Sequence, residues 1–113
     1  MMDKRIIFIA IYRALDCLAD ETGNTELASF LDKANPYVFE DRKSADPAIY
    51  SEYDNWIESN FNKVEYDDSY AIAEKYIAEK TEYSQLFADI SREEWADLIE
   101  LIKQEEPQLL TNK

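Results

Sequence analysis

Apolar residues recur at helical spacing in the first segment of the chain. Five of them have the spacing of one helix face, in which apolar residues recur every three or four positions: Ile7, Ile11, Ala14, Leu15 and Leu18. The spacing predicts a helix over residues 3–21, and Gly23 stands where a left-handed C-terminal cap is expected. Because further apolar residues widen this face, we expect the helix to be central and covered on several sides.

A strand is the alternative for part of this segment. The run over residues 5–12 is rich in isoleucine, a residue that also suits β-strands. Its best partner along the chain would be residues 36–40. The sequence therefore leaves open an α+β fold in which these two segments form a short two-stranded element.

Later in the chain, start and stop signals mark further helices. Asn24 or Thr25 can cap a short second helix, which must end before Pro36. Asp46 can cap a third helix, and the fixed φ of Pro47 suits its first position. Each signal lies next to apolar residues at helical spacing, so we expect two helices here.

The last two predicted helices occupy the C-terminal half of the chain. A fourth helix is expected to start at Asp67 or Asp68. Ser91 and Glu94 have the spacing of a capping box, in which each side chain accepts a hydrogen bond from the other's backbone N–H, and Pro107 ends the helix that follows. With one glycine and three prolines, the chain has few of the turns that β-proteins need. We predict an all-α fold, a compact single-domain bundle of four to five helices over residues 1–113.

Composition narrows the functional classes. The chain has 113 residues, of which 25 are acidic, 12 are basic and none is histidine, so its formal net charge is −13. Exposed carboxylates repel phosphates, which argues against nucleic acid or an anionic membrane as the ligand. Without histidine or a glycine-rich loop, nucleophilic triads and phosphate-binding loops cannot be built. We expect no cofactor, and we favour a non-catalytic role while leaving an enzymatic one open.

The cysteine count and the lengths of the apolar segments predict where in the cell the protein is located. Cys17 is the only cysteine, so the chain can form no intramolecular disulfide and needs no oxidising compartment. No segment approaches the roughly 20 apolar residues needed to span a membrane. We therefore expect a cytoplasmic protein.

Two pairs of carboxylates suggest one possible reaction. Each pair stands one helical turn apart, Glu79 with Glu82 and Glu94 with Asp97. This pattern resembles the motif of the all-α nucleotide pyrophosphohydrolases of the MazG-like type. The resemblance implies that the four carboxylates converge to hold Mg²⁺, with a bound water as the nucleophile. It covers only residues 79–97, and we keep it as the alternative to a binding function.

The leading hypothesis, a binding function, rests on tyrosines that stand beside carboxylates in the sequence. Tyrosine rings and carboxylates both attract arginine, and acidic clusters suit rapid, salt-sensitive association with a basic protein. The candidate contacts lie in two such stretches and are Tyr50, Glu52, Asp54, Glu65, Tyr66, Asp67 and Asp68. In size and acidity the chain resembles bacterial immunity proteins and antitoxins, which mask basic toxins. We therefore predict an interaction module that masks a basic partner, with a mimic of the DNA backbone as a further alternative.

Overall fold

The computed structural model describes residues 2–38 and 43–107, and these residues form six α-helices. The helices are α1 (Lys4–Thr22), α2 (Thr25–Ala34), α3 (Pro47–Asn60), α4 (Ser69–Lys80), α5 (Ser84–Phe87) and α6 (Arg92–Glu105). A 3₁₀ turn, Lys63–Asp67, precedes α4. The radius of gyration is 13.1 Å, close to the roughly 13 Å expected for a compact domain of this length. The predicted all-α fold is confirmed.

The α+β alternative is wrong. Residues 5–12 lie inside α1, residues 36–38 form a turn, and residues 39 and 40 lie outside the described part of the chain. No strand occurs in the described ranges. None of the described helices has both the length and the hydropathy that crossing a membrane requires.

Local hydrogen bonds explain where α1 begins and ends. The Asp3 side chain accepts a hydrogen bond from the backbone N–H of Arg5 at 2.7 Å, which caps the first turn. At the other end Gly23 has a φ of 67°, and its N–H donates to the carbonyl of Ala19 at 2.8 Å. This left-handed cap is the one predicted for the glycine, and any other residue there would be strained.

Helix α1 is the centre of the fold. Every residue from Ile6 to Ile11 is buried, so this part of the helix has no solvent-facing side. Each of the other five helices contacts it. A helix that is apolar all round must be enclosed by its neighbours, and the chain wraps its remaining helices around α1.

Aromatic rings join α1 to α3 and α4. The ring of Tyr53 lies 5.0 Å from that of Phe8 and 5.4 Å from that of Tyr76, and Tyr76 in turn lies 5.2 Å from Trp56. Tyr53 is fully buried, and its hydroxyl donates to the backbone carbonyl of Lys4 at 2.7 Å. Paired rings at such separations stabilise a core by about 0.5–1.5 kcal/mol each beyond the area they bury.

The approach to α4 differs slightly from the prediction. Asp68 occupies the N-cap position, but its side chain makes no capping hydrogen bond, and its carboxylate lies 3.5 Å from Arg92 on α6. Ser69, the first residue of α4, instead accepts a hydrogen bond from the indole Nε1–H of Trp95 at 2.8 Å. The start of α4 is thus stabilised by its contacts with α6 and not by a side-chain cap.

The capping box of α6 gives a first testable prediction. Ser91 Oγ accepts from the N–H of Glu94, and Glu94 Oε1 accepts from the N–H of Ser91, both at 3.0 Å. Because Ser91→Ala leaves a backbone donor without its partner, we expect the free energy of unfolding in urea to fall by about 1 kcal/mol. Ser84→Ala is the matched control, since α5 has no side-chain cap, and we expect it to change stability by less than about 0.5 kcal/mol. Equal losses in the two variants would contradict the capping role.

Candidate functional site

The two tyrosines predicted as partner contacts lie in the interior. Tyr50 is 5% exposed and Tyr66 is 4% exposed. The ring of Tyr50 packs edge-on against Phe8 at 5.1 Å, because the apolar side of α3 faces α1. The prediction that these two tyrosines contact a partner requires exposed rings, and because both are buried, neither is available to a partner that docks on the folded surface.

The carboxylates of the same set are mostly at the surface. Four of them are exposed: Glu52, Glu65, Asp67 and Asp68. Asp68 lies near Arg92, whose guanidinium lies 4.8 Å from the centre of the Tyr70 ring. Asp54 is half-buried and forms an ion pair with Lys4. Their role as contacts stays a prediction, which applies best to the carboxylates without an intramolecular partner.

Lys4 explains why Asp54 is not free to bind a partner. The Lys4 ammonium lies between the carboxylates of Asp54 and Glu58, and so ties the start of α1 to α3. Burial lowers the pKa of Lys4, but the hydrogen bonds and charges of these two carboxylates outweigh it, so its pKa is raised overall. Asp54 therefore serves the fold in this structure.

The four carboxylates of the hydrolase alternative do not converge. Among residues 2–38 and 43–107, which include all four, no group of three or more carboxylate, cysteine or histidine side chains is placed to hold a metal ion. Glu79 accepts a hydrogen bond from the indole of Trp56 at 3.0 Å, and Glu94 belongs to the capping box of α6. The ligand set implied by the resemblance to MazG-like enzymes is not assembled.

A groove lies between α2 and the segment that joins α4 to α5. Its larger part has a volume of about 420 Å³ and is lined by Phe30, Glu79, Lys80, Thr81, Glu82 and Tyr83. An adjoining part of about 290 Å³ is lined by Asn24, Glu26, Glu82, Tyr83, Gln85 and Leu86. Glu82 and Tyr83 line both parts, so the two depressions adjoin, and we call them together the α2–α4 groove.

The end of α4 presents Tyr83 to this groove. Helix α4 stops at Thr81, whose N–H and hydroxyl both donate to the carbonyl of Ile77, at 3.1 and 2.6 Å. The N–H of Tyr83 then donates back to Thr81 Oγ1 at 3.2 Å. This turn holds the backbone on either side of Glu82, and it leaves the Tyr83 ring half-buried at the groove surface.

The electrostatic setting of Tyr83 is strongly negative. Burial raises the pKa of its hydroxyl, and the charges of Glu82 and Glu26 raise it further. The two carboxylates come from different segments of the lining, Glu82 from the connection after α4 and Glu26 from α2. Among the described residues that line the groove, Lys80 is the only basic one.

Glu79 is the best-positioned carboxylate of the groove. Besides the hydrogen bond from Trp56 at 3.0 Å, it has the Lys75 ammonium 3.8 Å away on its own helix. Trp56 is 7% exposed, so the Glu79 carboxylate is held by a nearly buried side chain of α3. Both carboxylate oxygens therefore have a partner within the protein, and Glu79 contributes a fixed negative charge to the groove lining.

Two of the groove residues, Glu79 and Glu82, were predicted from the sequence in another role, as candidate metal ligands. The signal that could have found the site is Glu82 directly before Tyr83, the same adjacency of acid and tyrosine that was used at residues 65–66. What distinguishes the two places is burial, which depends on the neighbouring helices.

Comparisons of this chain with protein-family models, with curated proteins and with solved structures find no significant match. The chemistry of the site is that of the residues that line it.

The buried tyrosines give a prediction about alkaline pH. Burial raises the pKa of Tyr76 to about 12 and raises that of Tyr53 well above its usual range. In the unfolded chain these phenols ionise near the ordinary pKa of about 10. The folded state therefore binds more protons above that pH, so the free energy of unfolding should fall as pH rises from about 10 towards 12.

The measurement is urea unfolding at several pH values, with phenolate absorbance followed in parallel. Tyr76→Phe should make the decline with pH shallower, since it removes one of the phenols that must stay neutral. Ionisation of all eight tyrosines near pH 10 with the helical circular dichroism unchanged would contradict the buried placement.

Proposed function

We propose that this chain is a non-catalytic interaction module that binds a basic protein partner, with the α2–α4 groove as the principal contact. The observation that carries the proposal is the half-buried Tyr83, which lines the groove together with the carboxylates of Glu26 and Glu82. A guanidinium group is the cation that stacks on an aromatic face and pairs with a carboxylate at the same time.

The groove as a whole is complementary to such a partner. The described residues of its lining include three carboxylates and one ammonium. Phe30 and Leu86 add apolar surface. A formal net charge of −13 adds long-range attraction that speeds the encounter with a cationic protein. A DNA mimic would instead present rows of carboxylates without an apolar centre, so the groove favours recognition of a protein.

Masking is the biological role that this chemistry suits. Occupying a basic functional surface blocks it, which is how the immunity proteins and antitoxins that the chain resembles in size and acidity act on their toxins. The exposed carboxylates Glu52 and Asp67 remain predicted contacts, as does Glu65, which also accepts a hydrogen bond from Asn62 at 3.3 Å. We also propose a cytoplasmic location, because a chain with one cysteine needs no oxidising compartment.

The binding test uses a short arginine-rich peptide and protein labelled with ¹⁵N-tryptophan. The chain has two tryptophans, so two indole signals are expected. The Trp56 indole donates to Glu79 in the groove, whereas the Trp95 indole donates to the buried Ser69. We expect the Trp56 signal to shift during titration and the Trp95 signal to stay in place.

Charge variants test whether the groove is responsible. The triple variant Glu26→Gln, Glu79→Gln and Glu82→Gln should weaken peptide binding about tenfold at low salt, because each exposed pair contributes about 0.5 kcal/mol. The matched control removes the same charge from α6 through Glu93→Gln, Asp97→Asn and Glu100→Gln, exposed residues that line no part of the groove. Equal weakening in both triple variants would show that only net charge matters and would contradict the groove.

Lys80 tests whether the cationic peptide lies in the groove. It lines the groove without an ion pair to the described residues. Because the bound peptide is cationic, Lys80→Gln removes a repulsion and should strengthen peptide binding about twofold at low salt. Isothermal titration calorimetry measures the change, and the exposed Lys63→Gln is the control. Weaker binding to the Lys80→Gln variant, or an equal gain in both variants, would contradict the groove as the contact.

A further inference from the structure

A second depression lies on the other side of α2. It has a volume of about 250 Å³, and its lining includes Tyr12, Asp16 and Asp20 from α1 together with Leu31 and Asp32 from α2. We call it the α1–α2 pocket. Asn24, the N-cap residue of α2, lines both this pocket and the α2–α4 groove. The two depressions therefore meet at the N-terminus of α2.

The α1–α2 pocket repeats the chemistry of the groove. Burial raises the pKa of the Tyr12 hydroxyl, and so do the charges of Asp16 and then of Tyr37 and Asp32. Tyr12 thus stands near carboxylates from two helices, as Tyr83 stands near Glu82 and Glu26. Among the described residues that line the pocket, none is basic.

The carboxylates of the pocket are arranged for an organic cation. Three aspartates line it, but within the described ranges no three such side chains are close enough together to hold a metal ion. Separated carboxylates around the apolar side chains of Ala28 and Leu31 instead suit a cation that has a carbon stem. The side chains of arginine and lysine have this form.

We propose that one extended basic segment of the partner occupies both depressions. It passes the N-terminus of α2 beside Asn24, and it places one cationic side chain on Tyr83 and another among Asp16, Asp20 and Asp32. This inference rests on the proposed function, and it adds the form of the partner: two cationic positions on a single continuous segment.

The width of α2 sets the spacing of those two positions. A helix with its side chains is about 10–12 Å across, and an extended chain advances about 3.3–3.6 Å per residue. The two cationic residues must therefore lie at least about four positions apart along the extended segment. Two residues that are closer in sequence cannot reach both depressions.

The test compares two synthetic peptides. Each carries two arginines, which are joined by a Gly-Ser spacer of either one residue or eight residues. The protein is labelled with ¹⁵N-glycine and ¹⁵N-tryptophan. Gly23 is the only glycine in the chain and lines the α1–α2 pocket, so its amide reports on the pocket while the Trp56 indole reports on the groove.

We expect the long-spacer peptide to shift both signals with the same midpoint. It should bind at least about tenfold more tightly than the short-spacer peptide, because its second arginine binds at a high effective concentration. The variant Asp16→Asn, Asp20→Asn and Asp32→Asn should remove this tenfold gain and leave the Trp56 shift in place. The control triple variant on α6 should retain the gain.

The remaining outcomes overturn the inference in distinguishable ways. Equal affinity for the two spacers, or different midpoints for the two signals, would show two separate sites and leave the proposed function standing. A Gly23 signal that does not move would exclude the α1–α2 pocket as a contact. The absence of any Trp56 shift with either peptide would contradict the proposed function itself.

Discussion

The burial of α1 on every side is the constraint on which the rest of the structure depends. From Ile6 to Ile11 this helix has no polar face to turn towards water, so it is stable only when other helices enclose it. The five remaining helices all contact it, and hydrogen bonds to the ends of α1, such as that from Tyr53 to the Lys4 carbonyl, set how they approach. Their own apolar faces are used for this covering, which sends the many carboxylates outward.

The enclosing layer also determines where a functional surface can form. The tyrosines in the middle of α3 and α4 complete the cover of α1 and are buried with it, as Tyr53 and Tyr76 show. Half-buried aromatic rings remain where that layer is interrupted. Tyr83 follows the end of α4, and Phe30 lies on α2 across from it. The acidic groove is therefore a consequence of where α4 stops.

Helix α2 separates two places that share one chemistry. On one side Tyr83 stands near Glu82 and Glu26, and on the other Tyr12 stands near Asp16 and Asp32. Asn24 links them, and it also caps α2 by accepting from the N–H of Leu27 at 2.9 Å. The capped N-terminus of α2 has a fixed backbone conformation. A partner segment that passes it would therefore contact the carboxylates of the two depressions in a defined order. This is the physical basis of the proposed recognition of a basic partner.

The sequence by itself determined the features that depend on neighbours along the chain. Gly23 as a left-handed cap, Asp46 with Pro47 at the start of α3 and the Ser91 capping box involve only a few consecutive residues, so their patterns were sufficient. The choice between helix and strand over residues 5–12 needed the tertiary structure, because a segment buried on all sides loses the periodicity that distinguishes the two. Contacts between distant segments likewise decided that Tyr50 and Tyr66 are buried while Tyr83 faces a groove, and that Glu79 and Glu94 stay apart. Burial and convergence are properties of which helices become neighbours, and in this chain the covering of α1 makes that choice.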